Sequence, residues 1–145
     1  MNAFVGKFDA PAVQLLTQNA QGSWISVDLG EDFLLEVNQY SLRHGYSSGA
    51  DKLYNILHNW DLQAQASDGS WVTLKEHRND TSMQNAPGSG WAKMASWPVQ
   101  AKSKSYRIFR IVTTGLNRIS KGHSNWKLAC AGIELYGNLK QSSSP

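Results

Sequence analysis

Four histidines (His44, His58, His77 and His123) and one cysteine (Cys130) are the residues here best suited to hold a metal or to act as base and nucleophile. Their spacing argues against both roles. A zinc site draws on ligands in tight local pairs, and no two of these histidines lie at i, i+2 or i, i+4. Cys130 shares an apolar phase with Leu128 and reads as a small core hydrophobe. A reactive thiolate needs partial exposure and a cationic setting instead. Glu31 and Asp32 are adjacent carboxylates in a short turn, where solvation is the default. Gly88-Ser89-Gly90 lacks the Lys-Ser/Thr pair and helix of a phosphate-binding loop. The sequence therefore predicts no catalytic residue, no metal and no cofactor.

Recognition chemistry is better represented. Three polar stretches, 43–57, 78–93 and 115–126, carry Arg43, Lys52, Arg78, Lys93, Arg118 and Lys121 against Asp51 and Asp80. Six cations against two carboxylates leave +4, more than the +3 of the whole chain. The same stretches hold His44, Tyr46, Tyr54, Trp91, His123 and Trp126. The expected partner-binding set is Arg43, His44, Tyr46, Arg78, Trp91, Arg118, Lys121, His123 and Trp126. Arginine pairs with carboxylates and carbonyls through its planar fork. Tyr46, Trp91 and Trp126 offer flat apolar contact. His44 and His123 would make such a site pH-sensitive. A protein or peptide, acidic in character, is the expected partner. A carbohydrate is the alternative, because stacking aromatics beside polar groups also suit sugars. A third reading makes the chain a spacer in a larger protein.

The elements that position these residues are strands. His58 to Ala66 alternates, with Trp60, Leu62, Ala64 and Ala66 on one face and Asp61, Gln63 and Gln65 on the other. Ser67-Asp68-Gly69-Ser70 is a tight hairpin turn, and Trp71 to His77 returns as the partner strand. Further strands are predicted over 23–29, 35–43, 94–99, 106–114 and 127–136. The apolar phase slips between Val37 and Tyr40 and again at Gly132, which predicts two bulges. Pro98 places its strand at a sheet edge. Tyr106 to Thr114 is apolar on both faces and belongs in a sheet interior. Pro11 to Thr17 could form a helical turn, and no longer helix is expected. Short strands separated by turns predict an all-β sandwich. If successive strands run antiparallel, the three long polar stretches share one end and the short turns the other. Long loops on a rigid sandwich are where binding residues gather.

Composition sets outer bounds. A chain of 145 residues fits one domain around one core. A net charge of +3 falls short of the Lys/Arg density of a nucleic-acid binder, so no nucleic acid is expected. A single cysteine precludes an intrachain disulfide and points to a reducing compartment. MNAFVGKFDAPAVQLL lacks the pattern of a secretory signal, and no apolar run approaches the roughly 20 residues of a membrane span. A cytoplasmic location follows as an expectation. The loops are polar apart from Leu116 and Ile119, so a membrane surface is not an expected partner.

Several motifs taken together carry a family resemblance. Trp24 to Gly30 (WISVDLG), Tyr40 to Gly45 (YSLRHG), Asn59-Trp60, Ser67 to Trp71 (SDGSW), Leu74, His77 and Asn79-Asp80 form its first part. Tyr106-Arg107, Phe109 to Ile111, Thr114-Gly115 and Ala131 to Gly137 (AGIELYG) complete it. The set resembles discoidin-like domains (coagulation factor 5/8 type C, galactose-binding-like). The version it most resembles is the intracellular one of a HECT-type ubiquitin ligase and of BTB-domain proteins. The resemblance spans about Phe4 to Gly137 and implies a jelly-roll sandwich that binds and does not catalyse. In a ubiquitin-ligase setting it implies a module that recruits or positions a protein partner. Residues 1–137 are expected to form the sandwich and 138–145 a flexible tail. Two departures stand out. The family's additional first strand, with a Trp-x-Asn-Pro-type motif, has no counterpart before Phe4, so the sandwich is expected to lack it. Where the family places a Leu-Arg pair before Asn-Trp, this chain has Leu57-His58 after a longer loop.

Overall fold

The computed structural model describes residues 15–45, 55–88, 93–100, 102–117 and 126–142. Eight strands and one short helix are found there, in the order β1 (Leu15–Leu16), β2 (Trp24–Asp28), β3 (Phe33–His44), β4 (Trp60–Gln65), β5 (Trp71–His77), α1 (Ser82–Asn85), β6 (Met94–Pro98), β7 (Ile108–Thr113) and β8 (Ala129–Gln141). They form two four-stranded sheets, β1-β8-β3-β6 and β2-β7-β4-β5, with every pairing antiparallel. The core lies between them. Leu35, Tyr40 and Leu42 from one sheet meet Trp60, Leu62 and Phe109 from the other, all essentially without exposure.

The predicted devices appear where the pattern placed them. Gly69 takes φ 87° in the β4–β5 turn, and Asp68 accepts from the Ser70 amide at 2.9 Å. Asn38 is the extra residue between Val37 and Gln39, which pair with Gly137 and Tyr136. Beside Gly132, Ala131 is the extra residue between the Arg43 and His44 pairings. A third bulge, at Leu74 in β5, left no mark in the alternation. Strand β6, with Pro98, is an edge, and β7 is interior.

Four expectations are corrected. The chain is extended at Leu15–Leu16, which pair with Cys130 and Ala129, where a helical turn was expected; positions 11–14 lie outside the described residues. Sheet pairing overrides a weak local preference there. Tyr106 does not open β7. It exchanges both backbone hydrogen bonds with Leu35 of the opposite sheet, at 2.8 and 3.0 Å, and so bridges the two layers. Trp71, expected in the core with Trp60 and Trp97 from its aromatic bulk, is half-buried outside it, with the Arg110 guanidinium 3.9 Å over its ring. The last strand does not stop at Tyr136. Residues 138–141, expected in the flexible tail, pair with Phe33 to Glu36, and Leu139 packs against the core. Their short polar run hides the alternation, and Gly137 interrupts it.

Strand ends sort as parity requires. Thr17 with Leu128, Gly45 with Ala129, His44 with Lys93, Ser23 with Thr113 and Asn59 with Thr114 are joined by backbone hydrogen bonds at one end. The turns after β2 and β4 lie at the other end. The described parts of the long stretches therefore share one end of the sandwich.

Candidate functional site

Asn59 organises that end. Its carbonyl accepts from the Thr114 amide at 3.1 Å, its Oδ1 from the Asn79 amide at 2.8 Å, and its Nδ2 donates to the Leu116 carbonyl at 2.9 Å. One side chain thus ties the start of the 78–93 stretch to the start of the 115–126 stretch. Gly115 must lack a side chain here, since a Cβ would sit 2.8 Å from the Asn59 Cβ. Asn79 adopts φ 48°, a left-handed conformation that asparagine tolerates well.

Behind Asn59 runs a buried polar chain. Trp60 Nε1 donates to the Tyr40 hydroxyl at 3.0 Å, and that hydroxyl lies 2.5 Å from His77 Nε2. His77 Nδ1 is 2.6 Å from Asp80 Oδ2. Asp80 Oδ1 accepts from the Ser82 amide at 2.8 Å and from its hydroxyl, and Trp97 Nε1 donates to Ser82 Oγ at 2.9 Å. The Tyr40 hydroxyl spends its proton on Nε2 if His77 is the neutral Nδ1–H tautomer, which satisfies every member. Burial pushes the His77 imidazole below its ordinary pKa, and the Asp80 carboxylate only partly offsets this. Burial works the other way on Asp80, but the hydrogen bonds from His77 and Ser82 together hold its carboxyl below the usual range. Burial raises the Tyr40 phenol strongly. A His–Asp pair beside a hydroxyl has the parts of a catalytic relay, yet Tyr40 is 0% and His77 3% exposed. Neither reaches a substrate. The chain fastens Asp80 and α1 to the core.

The predicted site residues divide into three groups. Arg78 is committed to the fold: its Nη1 donates to Asp61 Oδ1 at 2.7 Å, to the Trp60 and His77 carbonyls, and to Thr114 Oγ1 at 3.0 Å. Asp61 in return raises the Arg78 pKa. His44 points inward and is buried, so it presents no surface to a partner. Lys93, counted among the loop cations, is also buried, and its Nζ donates to the Gln84 and Ala86 carbonyls at 2.8 and 2.6 Å. Arg43 and Trp126 are half-buried at this end, and Asn19 Oδ1 accepts from the Trp126 amide at 2.8 Å. Tyr46, Trp91, Arg118, Lys121 and His123 lie outside the described residues. The pattern passed over Asn59, Thr114 and the exposed Leu116. For Asn59 a signal existed, its place directly before the inward Trp60.

Among the described residues no cluster of three His, Cys, Asp or Glu could hold a metal, and no helix is long and apolar enough to cross a membrane. Cys130 is buried, which pushes its thiol up to about 12.

No family model matches the chain. It is 31% identical over 134 residues to the E3 ubiquitin-protein ligase Ufd4 of Drosophila melanogaster, a match covering 90% of this chain and 4% of the ligase. It is 31% identical over 120 residues to a BTB/POZ domain-containing protein of Arabidopsis thaliana, covering 81% of this chain and 13% of that protein. The chain therefore spans only a small part of the curated relatives it matches. Among solved structures it is similar to the lectin domain of lectinolysin complexed with Lewis B antigen, with TM-score 0.58 and 17% identity over 86% of this chain and 72% of that one. A family 32 carbohydrate-binding module from Streptococcus pneumoniae EndoD gives TM-score 0.58 and 15% identity over 92% and 81%. CBM32-1 of a family 31 glycoside hydrolase from Clostridium perfringens gives 0.52 and 14% over 93% of each chain. At these identities the likeness is one of fold. The chain has the discoidin-like, galactose-binding-like β-sandwich, and the sequence resemblance to the ligase and BTB versions is borne out. Two of these solved structures, the lectin domain and the family 32 module, are binding modules.

Proposed function

We propose that this chain is a non-catalytic recognition module carried in a larger cytoplasmic protein of the ubiquitin-ligase type, where it recruits or positions a protein partner. The observation that carries the reading is the 31% identity to a ubiquitin ligase across 90% of this chain, about twice the identity to the carbohydrate-binding modules. The proposed site is the end held together by Asn59. Arg118 and Lys121 supply its charge, His123 its pH response, and Tyr46, Trp91 and Trp126 its flat surfaces. Arg43 stands at the rim, and Arg78 shapes the end rather than reaching outward.

A carbohydrate ligand is the second reading. It is favoured by the lectin domain that shares the fold, which was complexed with Lewis B antigen. One pair of experiments separates the two. The wild-type chain and a folded Arg118→Ala/Lys121→Ala/Trp126→Ala variant are used as baits in cytosolic extract and as probes on a glycan array. Proteins retained by the wild type and lost from the variant support the first reading. Glycan spots lost in the variant, with identical protein lists, overturn it in favour of the second. If nothing differs in either assay, the loop-end site is abandoned.

A further inference from the structure

The two sheets leave a long side open between their edge strands β5 and β6. Toward the loop end this side is sealed. Trp97 packs edge-on against His77 and Trp60, with ring centroids 5.0 and 5.4 Å apart, and α1 covers them. Toward the opposite end it is not sealed. A cavity of about 160 Å³ opens between Leu74, Val99 and Tyr106 and continues into a wider one of about 610 Å³. Val72, Lys104 and Tyr106 line both, so the two form one groove.

Three features define what this groove fits. Its floor is apolar and fixed. Tyr106 is pinned by its two backbone hydrogen bonds to Leu35, while Val72 stays 37% exposed where an edge strand would normally be polar. Its charge is of one sign. Lys102, Lys104 and Arg107 line it, and among the described residues no Asp or Glu does. Asp28 grips the Arg107 fork at 2.6 and 2.7 Å, and Glu31 adds to that field. Lys102 and Lys104 are exposed at the rim with no ion pair of 4 Å or less among the described residues. Finally, among the described residues β5 is hydrogen-bonded to a strand on one side only. Lys75 adds a further cation to β5, which disfavours a second copy and favours a segment carrying carboxylates. A second copy would also bring lysine against lysine.

We propose that this groove is a second docking site, at the end opposite the recognition loops, for an extended acidic peptide whose apolar side chains alternate with carboxylates. The apolar side chains fill the floor between Val72 and Tyr106. The carboxylates meet Lys102 and Lys104, a charge complementarity that sets specificity and association rate. Period-two alternation suits a segment lying along β5. The site is independent of the loop-end reading, since the two share no residue.

The test is a nuclear magnetic resonance titration of the 145-residue chain with a capped peptide of alternating glutamate and leucine, beside a lysine–leucine control. Amide shifts concentrated at 71–74 and 99–108 are expected, with the control binding at least about tenfold more weakly. In a Lys102→Glu/Lys104→Glu variant, whose exposed positions leave the core untouched, that preference should invert. Shifts centred on 43–45, 113–117 and 126–128 would overturn the groove and speak for the loop end. Equal binding of both peptides, or no shift at millimolar peptide, would overturn it outright. Groove shifts that grow with protein concentration alone would show that the occupant is a second copy.

Discussion

Arg78 illustrates how a residue suited to binding is used for holding. Asp61 is buried, and its charge is met by Arg78 Nη1 at 2.7 Å. The same nitrogen also closes the Trp60 and His77 carbonyls. In Arg78→Ala the carboxylate loses its counter-charge. Because the arginine is itself 47% exposed, the cost falls below that of a fully buried pair, roughly 2 kcal/mol. Urea unfolding followed by tryptophan fluorescence should show it, and an unchanged midpoint would mean that Asp61 finds another partner. His77 gives a pH prediction with a definite sign. Its folded pKa is depressed below 6.5, chiefly by burial and slightly by Lys75, against the pull of Asp80 and Asp61. As pH falls through 6.5 the unfolded chain takes up that proton first, so stability is lost on the acid side and is fully present above it. Protonation would also aim a second N–H at the Tyr40 hydroxyl, stranding the hydroxyl proton. The urea midpoint should therefore drop between about pH 7.5 and 5.5, and the drop should shrink in His77→Gln. A wild-type midpoint flat across that range would refute the assignment of a buried neutral imidazole.

Among the elements, β3 and β8 carry the longest pairing, and within it Gly137 leaves no room for a side chain against the β3 backbone. A Cβ on Gly137 would lie 1.8 Å from the Glu36 carbonyl oxygen, a backbone atom that cannot turn aside. Gly137→Ala should cost more than about 3 kcal/mol, because the strand must move at a bulge the rest of the sandwich is built on. Thermal unfolding checks this, and a loss below about 1 kcal/mol would show the bulge to be compliant. The same region marks what the sequence discloses. Alternation reveals a strand wherever one face is buried, which is why the β4–β5 hairpin, the interior place of β7 and the slips at Val37 and Gly132 are legible. It fails for Asn138 to Gln141, where Leu139 alone faces inward and a glycine breaks the period. For the proposed site, the sequence suggests an end of the sandwich and not which side chains are free to bind. Parity places the described parts of the long stretches at one end. Spacing along the chain does not reveal that Arg78 meets Asp61 or that Lys93 meets two carbonyls, since those partners come from other elements.

At the scale of the whole molecule, the question is whether the two sheets behave as one unit. Few groups can report on this, but Cys130 is one. It lies in β8 between β1 and β3, with its side chain in the core shared with Trp60 and Phe109. With its thiol pushed up to about 12 by burial, hardly any of the chain carries the thiolate at pH 8. Burial then removes access even for that fraction. A thiol reagent should therefore leave the native chain unlabelled and react only through opening. Tyr106 with Leu35, and Asn59 with Thr114 and Leu116, tie the layers and loops together at opposite ends, so opening at Cys130 should require loss of the whole sandwich. The labelled fraction in rising urea should then coincide with the tryptophan fluorescence transition. Labelling that runs ahead of fluorescence would mean that β1 and β8 detach while the β2-β7-β4-β5 sheet persists, and that the two layers are separate cooperative units.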